Sequence, residues 1–237
     1  IIGDELSKFD EYQRKFISNI SHDFRSPLTS IRGYVQAMVD GVIPPESQQK
    51  YLDIILFETD RLTKLTSNLL DVNNFDKDNI FLDISRFNLH DSIRKTAGAL
   101  EGVAAKKDIH FDLELSDTEP LWVSGDKDKI QQVLHNLMDN AVKFSHEGSS
   151  ILISTREKGN RVFVSVKDSG IGIPKDDLGK IFERFYKTDL SRGKDKLGTG
   201  LGLSICKEII TAHKQNLDVV STEGVGSEFV FTLTKET

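Results

Sequence analysis

Two asparagines and a lysine, Asn136, Asn140 and Lys143, follow one another at spacings of four and three residues. On a helix these spacings place the three side chains along one edge. Amide oxygens are neutral ligands for a hard cation such as Mg²⁺, which usually keeps several waters and shares phosphate oxygens, and a lysine binds phosphate as a point charge. This asparagine motif indicates a site for a metal-bound phosphate compound, although an ordinary solvated helix edge explains the three residues taken alone.

A second group of residues, DSGIGI at 168–173, follows a segment rich in β-branched residues. Asp168 could accept a hydrogen bond from an exocyclic amine. Gly170 and Gly172 carry no side chain and would let the backbone approach a flat ring. A tight turn would also explain both glycines of this aspartate motif.

Three glycines, Gly198, Gly200 and Gly202, lie in GTGLGLSI, where an apolar helical pattern begins. Free amides at a helix start bind anions, so this glycine motif could hold phosphate. Its spacing matches neither the phosphate loop of P-loop proteins nor the dinucleotide fingerprint. A plain hairpin turn is the better explanation of the later EGVGSEF at 223–229, the hairpin motif.

A histidine and a carboxylate, His22 and Asp23, lie one turn before Pro27 and outside the apolar stripe of a long helical pattern. An imidazole with an ordinary pKa of roughly 6.5 is largely neutral at pH 7 and can act as a nucleophile. The adjacent carboxylate can hold its tautomer. Ser21, His22 and Asp23 do not form a hydrolase triad, because successive helical side chains point about 100° apart.

The elements that must position His22 are two predicted helices. Apolar residues repeat in heptads over 2–20, an extra step interrupts the repeat next to His22, and the prolines at 44–45 are predicted to end the first helix. A second apolar stripe covers 52–72. One such hairpin leaves its apolar seam half exposed and two copies would close a four-helix bundle, so burial predicts a dimer.

The polar, turn-rich segment 73–79 predicts a domain boundary between a helical hairpin over 1–78 and a mixed region over 79–237. The periodicities of the second region predict an α+β sandwich, with helices on one face of a mixed sheet. Helices are predicted over 88–107 and 126–144 and from near 201, and strands over 109–115, 121–124, 150–157, 161–167, 217–222 and 227–234.

The composition excludes several classes of protein. The 237 residues are 38% hydrophobic and 29% charged, which is typical of a globular chain. The net charge of −6 argues against a general nucleic-acid binder. The sequence contains no run of about 18 apolar residues that could span a bilayer, and its charged start is unlike a signal peptide.

The order of the motifs resembles one family closely. A histidine-bearing coiled coil is followed by the asparagine motif, the aspartate motif, FERFY at 182–186, the glycine motif and a final Gly-x-Gly. Over nearly its whole length the chain resembles the sensor histidine kinases of two-component signalling, and SHDFRSPL at 21–28 resembles their phosphoacceptor motif. The resemblance implies a dimerisation and phosphoacceptor domain over 1–78 and a catalytic ATP-binding domain of the GHKL type over 79–237.

The resemblance also implies an activity and roles for the residues of the first domain. His22 would be phosphorylated by ATP, with Asp23 in support, and would pass the phosphoryl group to an aspartate of a response regulator. Removal of phosphate from that regulator is a further expected activity. Ser26 departs from the family pattern, since related kinases usually have threonine or asparagine there to orient the attacking water.

In the second domain the resemblance implies that Asn140 is the main Mg²⁺ ligand, supported by Asn136, that Lys143 contacts phosphates and that Asp168 binds the adenine amino group. Lys187 stands where the family often has an arginine that reaches the γ-phosphate. Residues 187–199 look like the segment that covers ATP, with an ordinary flexible loop as the alternative.

The expected cofactors are therefore ATP and Mg²⁺. The expected partners are a second copy of the chain and a response regulator, with no nucleic acid. The parent protein is expected to be anchored in a membrane through a segment absent from this sequence, with the present part in the cytoplasm, and a soluble parent is the alternative. No sensor domain is present, so the sequence does not indicate the stimulus.

Two other functions fit parts of the sequence. ATPases of the same nucleotide fold carry a glutamate four residues before the metal-binding asparagine to activate water; here that position is Asn136, which cannot act as a base. A nucleotide-binding dimeric scaffold without kinase activity is the second alternative. The presence of His22, Asp23, Asn140 and Asp168 argues against it.

Overall fold

The computed structural model describes residues 21, 24–74, 81–188, 191 and 200–236. The chain has two compact units, and the boundary between them lies between Asn73 and Asn74 in the sequence. The predicted heptad segment over 2–20 lies outside the described residues. None of the described helices is long and apolar enough to cross a membrane.

The first unit contains helix α1 over 24–39, a short 3₁₀ helix, Pro45–Ser47, and helix α2, Gln48–Asn74. Helix α1 ends earlier than the prolines at 44–45 predict. Gly41 has a φ of +69° and the Val42 amide donates to the Ala37 carbonyl at 2.9 Å, the Schellman arrangement that glycine favours at a helix end. The prolines precede and open the next element instead, where a missing amide costs little.

The two helices of this unit cover only part of their apolar stripes. Leu65 is 2% exposed, and the rings of Tyr34 and Tyr51 pack with their centroids 5.2 Å apart. Two residues of the predicted stripes, Leu28 and Leu52, remain 52% and 43% exposed. A single hairpin therefore presents apolar side chains to its surroundings.

In the described part of the chain, the second unit combines helices with the strands of one sheet. The elements are β1 Ile84–Asn88, α3 Leu89–Ala105, β2 His110–Glu114, β3 Trp122–Asp126, α4 Lys127–Phe144, β4 Ser150–Lys158, β5 Arg161–Lys167, α5 Gly202–Ala212, β6 Leu217–Thr222 and β7 Gly226–Lys235. The strand order is β1-β3-β7-β5-β4-β2, and β6 pairs with β7 beside β3. Strands β2 and β4 are parallel and the other pairs are antiparallel, so the predicted mixed sheet is confirmed.

The core lies between the sheet and the three helices. Alternate residues of β5 and β7 are buried and lie opposite one another, as in the pairs Val164 with Phe231 and Val162 with Leu233. Helix α4 packs between α3 and α5 and against β1, β3 and β5. The predicted α+β fold with one helical layer is confirmed, and α4, which carries the asparagine motif, is its central helix.

Candidate nucleotide site

Helix α4 holds the asparagine motif at the edge of its buried face. The Asp126 carboxylate accepts hydrogen bonds from the backbone amides of Asp128 and Lys129, both at 3.1 Å. This cap satisfies donors that the first turn leaves unpaired. The core face of α4 is almost fully buried, and the three side chains of the asparagine motif are half-buried beside it. The seven buried residues of the helix are Ile130, Val133, Leu134, Leu137, Met138, Ala141 and Val142.

Asn136 connects α4 to the start of α5. Its side-chain amide donates to the Gly202 carbonyl oxygen at 3.5 Å. One turn away the Cys206 thiol lies 3.9 Å from the Val133 carbonyl oxygen, and complete burial raises the pKa of this thiol to about 12. Cys206 is therefore a packing residue, and the asparagine and glycine motifs are brought together by direct contact.

Asn140 and Lys143 differ in the partners of their side chains. The Asn140 side chain is half-buried and makes no hydrogen bond to another described residue, so its amide oxygen is available to a ligand. The Lys143 ammonium forms an ion pair with Asp139 at 2.7 Å. A phosphate bound by Lys143 would therefore share the charge of the ammonium group with the Asp139 carboxylate. This ion pair, four residues apart on the helix, was not predicted from the sequence.

The carboxylate of Asp168 is fixed by two backbone amides. Asp168 follows β5 and is 7% exposed. Its Oδ1 accepts hydrogen bonds from Gly170 at 3.0 Å and Ser227 at 3.3 Å, which leaves Oδ2 as the acceptor without a donor among the described residues. Burial raises the pKa of this carboxyl, while the two amides and the charge of His146 oppose the shift.

The two glycines of the aspartate motif pass close to other backbone. A Cβ on Gly170 would lie 2.3 Å from the Phe144 carbonyl oxygen, and one on Gly172, whose φ is +66°, would lie 2.1 Å from the Thr222 carbonyl oxygen. Tight packing against neighbouring backbone is enough to require both glycines, and the approach of this backbone to a flat ring stays a prediction. This turn packs against the last residue of α4.

The hairpin motif contacts the aspartate motif. Thr222 and Gly226 pair at the turn between β6 and β7, as predicted, and Ser227 supplies one of the amides that hold Asp168. The contact of this segment with Asp168 was not predicted. It is made by a backbone amide, a group that every residue except proline carries, so no residue type signals it.

The segment before the glycine motif is anchored to α5. The Phe185 amide donates to the Gly200 carbonyl oxygen at 2.9 Å. Lys187 follows Phe185 by two residues; it is half-buried and takes part in a side-chain or backbone interaction. Helix α5 begins at Gly202 with no side-chain cap from Leu201. The first amides of any helix have no acceptor within the helix itself.

A cavity of about 410 Å³ opens at the end of α4. The residues that line it all carry polar side chains and include two lysines. Lys107 donates to the last carbonyl groups of the helix, Val142 at 2.9 Å and Lys143 at 2.8 Å. These contacts neutralise the negative helix end. The lining residues are Lys107, Lys143, Ser145, His146 and Glu147.

The structure thus gathers the asparagine, aspartate, glycine and hairpin motifs around α4. His22, Asp23, Gly198 and most of the predicted covering segment over 187–199 lie outside the described residues. Ser26 belongs to the helical unit, where it is exposed on α1. Of the predicted site residues of the α/β unit that the structure describes, the asparagine motif lies in the second half of α4, and the others follow β5 or lie at or before the start of α5.

Two family models match the chain. Residues 12–77 match the His Kinase A (phospho-acceptor) domain. Residues 125–237 match the histidine kinase-, DNA gyrase B-, and HSP90-like ATPase family. Together the two models cover most of both units.

Curated relatives and solved structures with histidine kinase or sensor names also match the chain. The chain is 38% identical over 234 residues to the sensor histidine kinase WalK of Bacillus subtilis, covering 97% of this chain and 38% of the relative. It is 35% identical over 237 residues to the sensor protein SrrB of Staphylococcus aureus, covering 95% and 39%. The chain thus spans about two fifths of these relatives.

One solved structure resembles the chain along both units. It is the histidine kinase ThkA in complex with the response regulator protein TrrA, with a TM-score of 0.76 and 30% identity. The match covers 98% of this chain and 67% of that one. The likeness therefore extends over the helical hairpin as well as the nucleotide-binding fold.

Proposed function

The chain belongs to the sensor histidine kinases of two-component signalling, and from this premise we propose that it phosphorylates itself on His22 with ATP and passes the phosphoryl group to an aspartate of a response regulator. The helical hairpin over 1–78 would carry the phosphoacceptor and the dimer interface. Residues 79–237 would bind and orient ATP.

The observation that carries the proposal is the arrangement of Asp168. Its Oδ1 is occupied by two backbone amides and its Oδ2 is left to accept from a ligand. A fixed, buried carboxylate oxygen suits an exocyclic amine such as that of adenine. It discriminates against a carbonyl at the same position of the ring, since two acceptors would then face one another.

The phosphate end of ATP would lie along α4 toward the start of α5. Asn140 offers a neutral amide oxygen that has no hydrogen-bond partner among the residues that the structure describes, a ligand that fits Mg²⁺ bound together with phosphate oxygens. Asn136 would hold the start of α5 in place through Gly202, while Lys143 and Lys187 would supply positive charge. Mg²⁺ bound there would neutralise the charge of the phosphates.

The transfer itself needs a nucleophile and a proton acceptor. A ring nitrogen of His22 would attack the γ-phosphorus, the new nitrogen–phosphorus bond replacing the bond to ADP, which leaves with the electron pair. Asp23 would take the proton from the other ring nitrogen and hold the reactive tautomer. The phosphoryl group would then pass to a regulator carboxylate, and Ser26 would orient a water for its later hydrolysis.

The partners follow from the same proposal. The exposed stripe residues Leu28 and Leu52 support a homodimer, in which a second hairpin would cover them. The complex of ThkA with TrrA supports a response regulator as the phosphoryl acceptor. We also propose a membrane-anchored parent with this part in the cytoplasm, because the chain spans only about two fifths of relatives that are named as sensors.

The test is incubation of the purified chain with Mg²⁺ and ATP labelled at the γ-phosphate. A histidine kinase retains the label on protein in a form that is labile to acid and stable to base, because protonation of a phosphoramidate nitrogen makes a good leaving group. Release of free phosphate without protein label would favour the ATPase alternative. Binding of ATP with neither outcome would favour the scaffold.

A further inference from the structure

Two serines end the apolar rows of the β6–β7 hairpin where it reaches the aspartate motif. Val219 of β6 pairs with Phe229 of β7. Two positions further along the same face, Ser221 pairs with Ser227. Ser227 is buried and Ser221 is half-buried. A hydroxyl in such a place needs hydrogen-bond partners, because an unpaired one costs free energy.

The Ser221 hydroxyl connects the hairpin to the aspartate motif. Its Oγ accepts a hydrogen bond from the backbone amide of Ile173, the last residue of that motif, at 2.9 Å. It donates to the Gly226 carbonyl oxygen at 2.8 Å and lies 2.9 Å from the Ser227 hydroxyl. A hydroxyl has one proton and two acceptor lone pairs. With its proton donated to Gly226, Ser221 accepts from the other two groups, and its capacity is fully used.

The residues that Ser221 contacts also border Asp168. The Asp168 amide donates to the Ser227 carbonyl oxygen at 2.9 Å, and the Ser227 amide donates to Oδ1 of Asp168 at 3.3 Å. Gly226 passes so close that a Cβ on it would lie 2.1 Å from the Asp168 carbonyl oxygen. The position of the hairpin therefore sets the position of the Asp168 carboxylate.

The Ser221 hydroxyl is a link that can be removed while the backbone contacts remain. Without it the Ile173 amide loses this acceptor, and the end of the aspartate motif can shift against the hairpin. The hydrogen bond from Ser227 to Asp168 is sensitive to such a shift, because its 3.3 Å already exceeds the usual range of about 2.7 to 3.2 Å. A carboxylate that loses this bond no longer presents its Oδ2 in a fixed orientation.

We propose that Ser221 is a positioning residue for recognition of the adenine amine, acting through the hairpin on the orientation of Asp168. The inference rests on the proposed function, because it takes Asp168 as the acceptor for that amine. Ser221 would not contact the nucleotide, since Ile173, Gly226 and Ser227 use its hydrogen-bonding capacity. Its removal should weaken ligands that carry the exocyclic amine and spare those that lack it.

The experiment compares the dissociation constants of ATP and of purine riboside triphosphate, which lacks the exocyclic amine, by equilibrium titration with Mg²⁺. We expect ATP to bind about fivefold more weakly to Ser221→Ala than to wild type, a loss on the scale of one hydrogen bond, and the analogue to change by less than about twofold. Ser221→Thr keeps the hydroxyl and should keep the ratio of wild type. The matched control is Thr222→Val, which removes an exposed hydroxyl from the next residue and should leave both constants unchanged.

A second measurement needs no nucleotide. Burial raises the pKa of Asp168, while the amides of Gly170 and Ser227 lower it, so a weaker contact with Ser227 should raise this pKa further in Ser221→Ala. Carbon NMR of the aspartate carboxyl groups measures the pKa, and the signal is assigned by its absence in Asp168→Asn. Ser221→Thr and Thr222→Val should titrate as wild type does.

Equal weakening of ATP and the analogue by Ser221→Ala, no weakening of ATP, or an unchanged pKa of Asp168 would overturn the inference. If Ser221→Ala does not fold, Ser221→Cys decides, because its thiol fills the site but hydrogen-bonds weakly, and a wild-type ratio in that variant overturns the inference. If wild type itself does not prefer ATP to the analogue, the proposed role of Asp168 fails. A pKa that still rises in Ser221→Ala then shows that the fault lies in that role and not in the positioning.

Discussion

The backbone amide of Ser227 donates to the carboxylate of Asp168 at 3.3 Å, although 59 residues separate the two in the sequence. The hairpin motif thereby fixes the orientation of the aspartate motif. Oδ1 of this carboxylate accepts from Ser227 and Gly170, and Oδ2 has no donor in the described part of the chain. An oxygen held in this way can accept a hydrogen bond from an amine.

Replacing Asp168 with asparagine should separate binding from stability. Asp168→Asn keeps an oxygen for the two backbone amides but can present a donor to the adenine amine, so ATP affinity should fall at least about tenfold. The melting temperature at pH 7 should not fall, because the variant removes a buried charge. Calorimetric titration and thermal melting test both parts. A fall in melting temperature without weaker binding would contradict the assigned role.

The raised pKa of Asp168 predicts the direction in which ATP affinity changes with pH. Burial raises the pKa of Asp168 above its ordinary value of 3.8, so the carboxylate takes up its proton at a higher pH than an exposed aspartate does. ATP affinity should therefore decrease as pH is lowered, beginning above pH 3.8. The charged form is disfavoured by folding, so this group contributes more stability below its folded pKa than above it. Asp168→Asn should lack this component of the binding profile.

Much of this architecture was predictable because its signals are local. The amphipathic pattern of α4 and the alternation in β4, β5 and β7 depend on residues a few positions apart. Strand β1 escaped prediction since Phe87 is its only buried residue and the strand has five residues. The end of α1 was misplaced because Gly41 and its αL conformation decide it, and the prolines at 44–45 drew the boundary too far along the chain.

The site was predictable in its side chains and not in its backbone contacts. Asp168 and Asn140 could be chosen from their chemistry. The amide of Ser227 and the carbonyl of Gly202 could not, because every residue has such groups and only the folded chain selects them. The hydrogen bond from the Ile173 amide to the Ser221 hydroxyl is likewise long-range.

The phosphoacceptor assignment predicts the behaviour of His22→Gln. This variant should lose the acid-labile label completely and bind ATP as wild type does, because the nucleotide would be held by the other domain. Autoradiography after acid treatment and nucleotide titration measure the two properties. His110→Gln is the control, since His110 is an exposed histidine on β2 and its loss should leave labelling unchanged. Label that persists on His22→Gln would refute the assignment.

The metal assignment predicts a large effect of a small change at Asn140. Asn140→Asp places a negative charge beside the triphosphate and should lower the autophosphorylation rate at least about 10²-fold, the scale of a lost preorganised electrostatic contact. The initial rate of labelling at saturating Mg²⁺ measures it. Asn160→Asp, at the exposed turn between β4 and β5, adds the same charge elsewhere and should retain the wild-type rate. Near-normal labelling of Asn140→Asp would mean that another residue holds the metal.

A cluster remote from the nucleotide site predicts a pH-dependent stability. Glu119 accepts hydrogen bonds from Arg94 at 2.8 Å and lies 3.0 Å from the Nδ1 of buried His90. The hydrogen bond from Arg94, followed by that from His90, lowers the pKa of Glu119 from 4.5 to about 2. The stabilisation is therefore present above pH 4.5 and is lost as pH falls through about 2.

Glu119→Gln should accordingly lower the melting temperature at pH 7 and flatten its dependence on pH between 4.5 and 2. Thermal unfolding followed by circular dichroism measures both. Glu114→Gln, which removes an exposed carboxylate at the end of β2, is the control and should keep the slope of wild type. An unchanged slope in Glu119→Gln would show that other carboxylates dominate the acid transition.

The last prediction concerns Ser26, which is exposed on α1 and follows His22 by four residues in the sequence. Serine keeps the hydroxyl that can orient a water but lacks the β-methyl group that restricts χ1 in threonine. We expect dephosphorylation of the partner regulator to be slower in wild type than in Ser26→Thr and slowest in Ser26→Ala, with autophosphorylation nearly equal in all three. Loss of phosphate from the purified phosphorylated regulator is measured beside labelling of the kinase. If Ser26→Ala dephosphorylates the regulator as fast as wild type, the hydroxyl has no such role, and regulator output is limited by the kinase step or by spontaneous hydrolysis of the aspartyl phosphate.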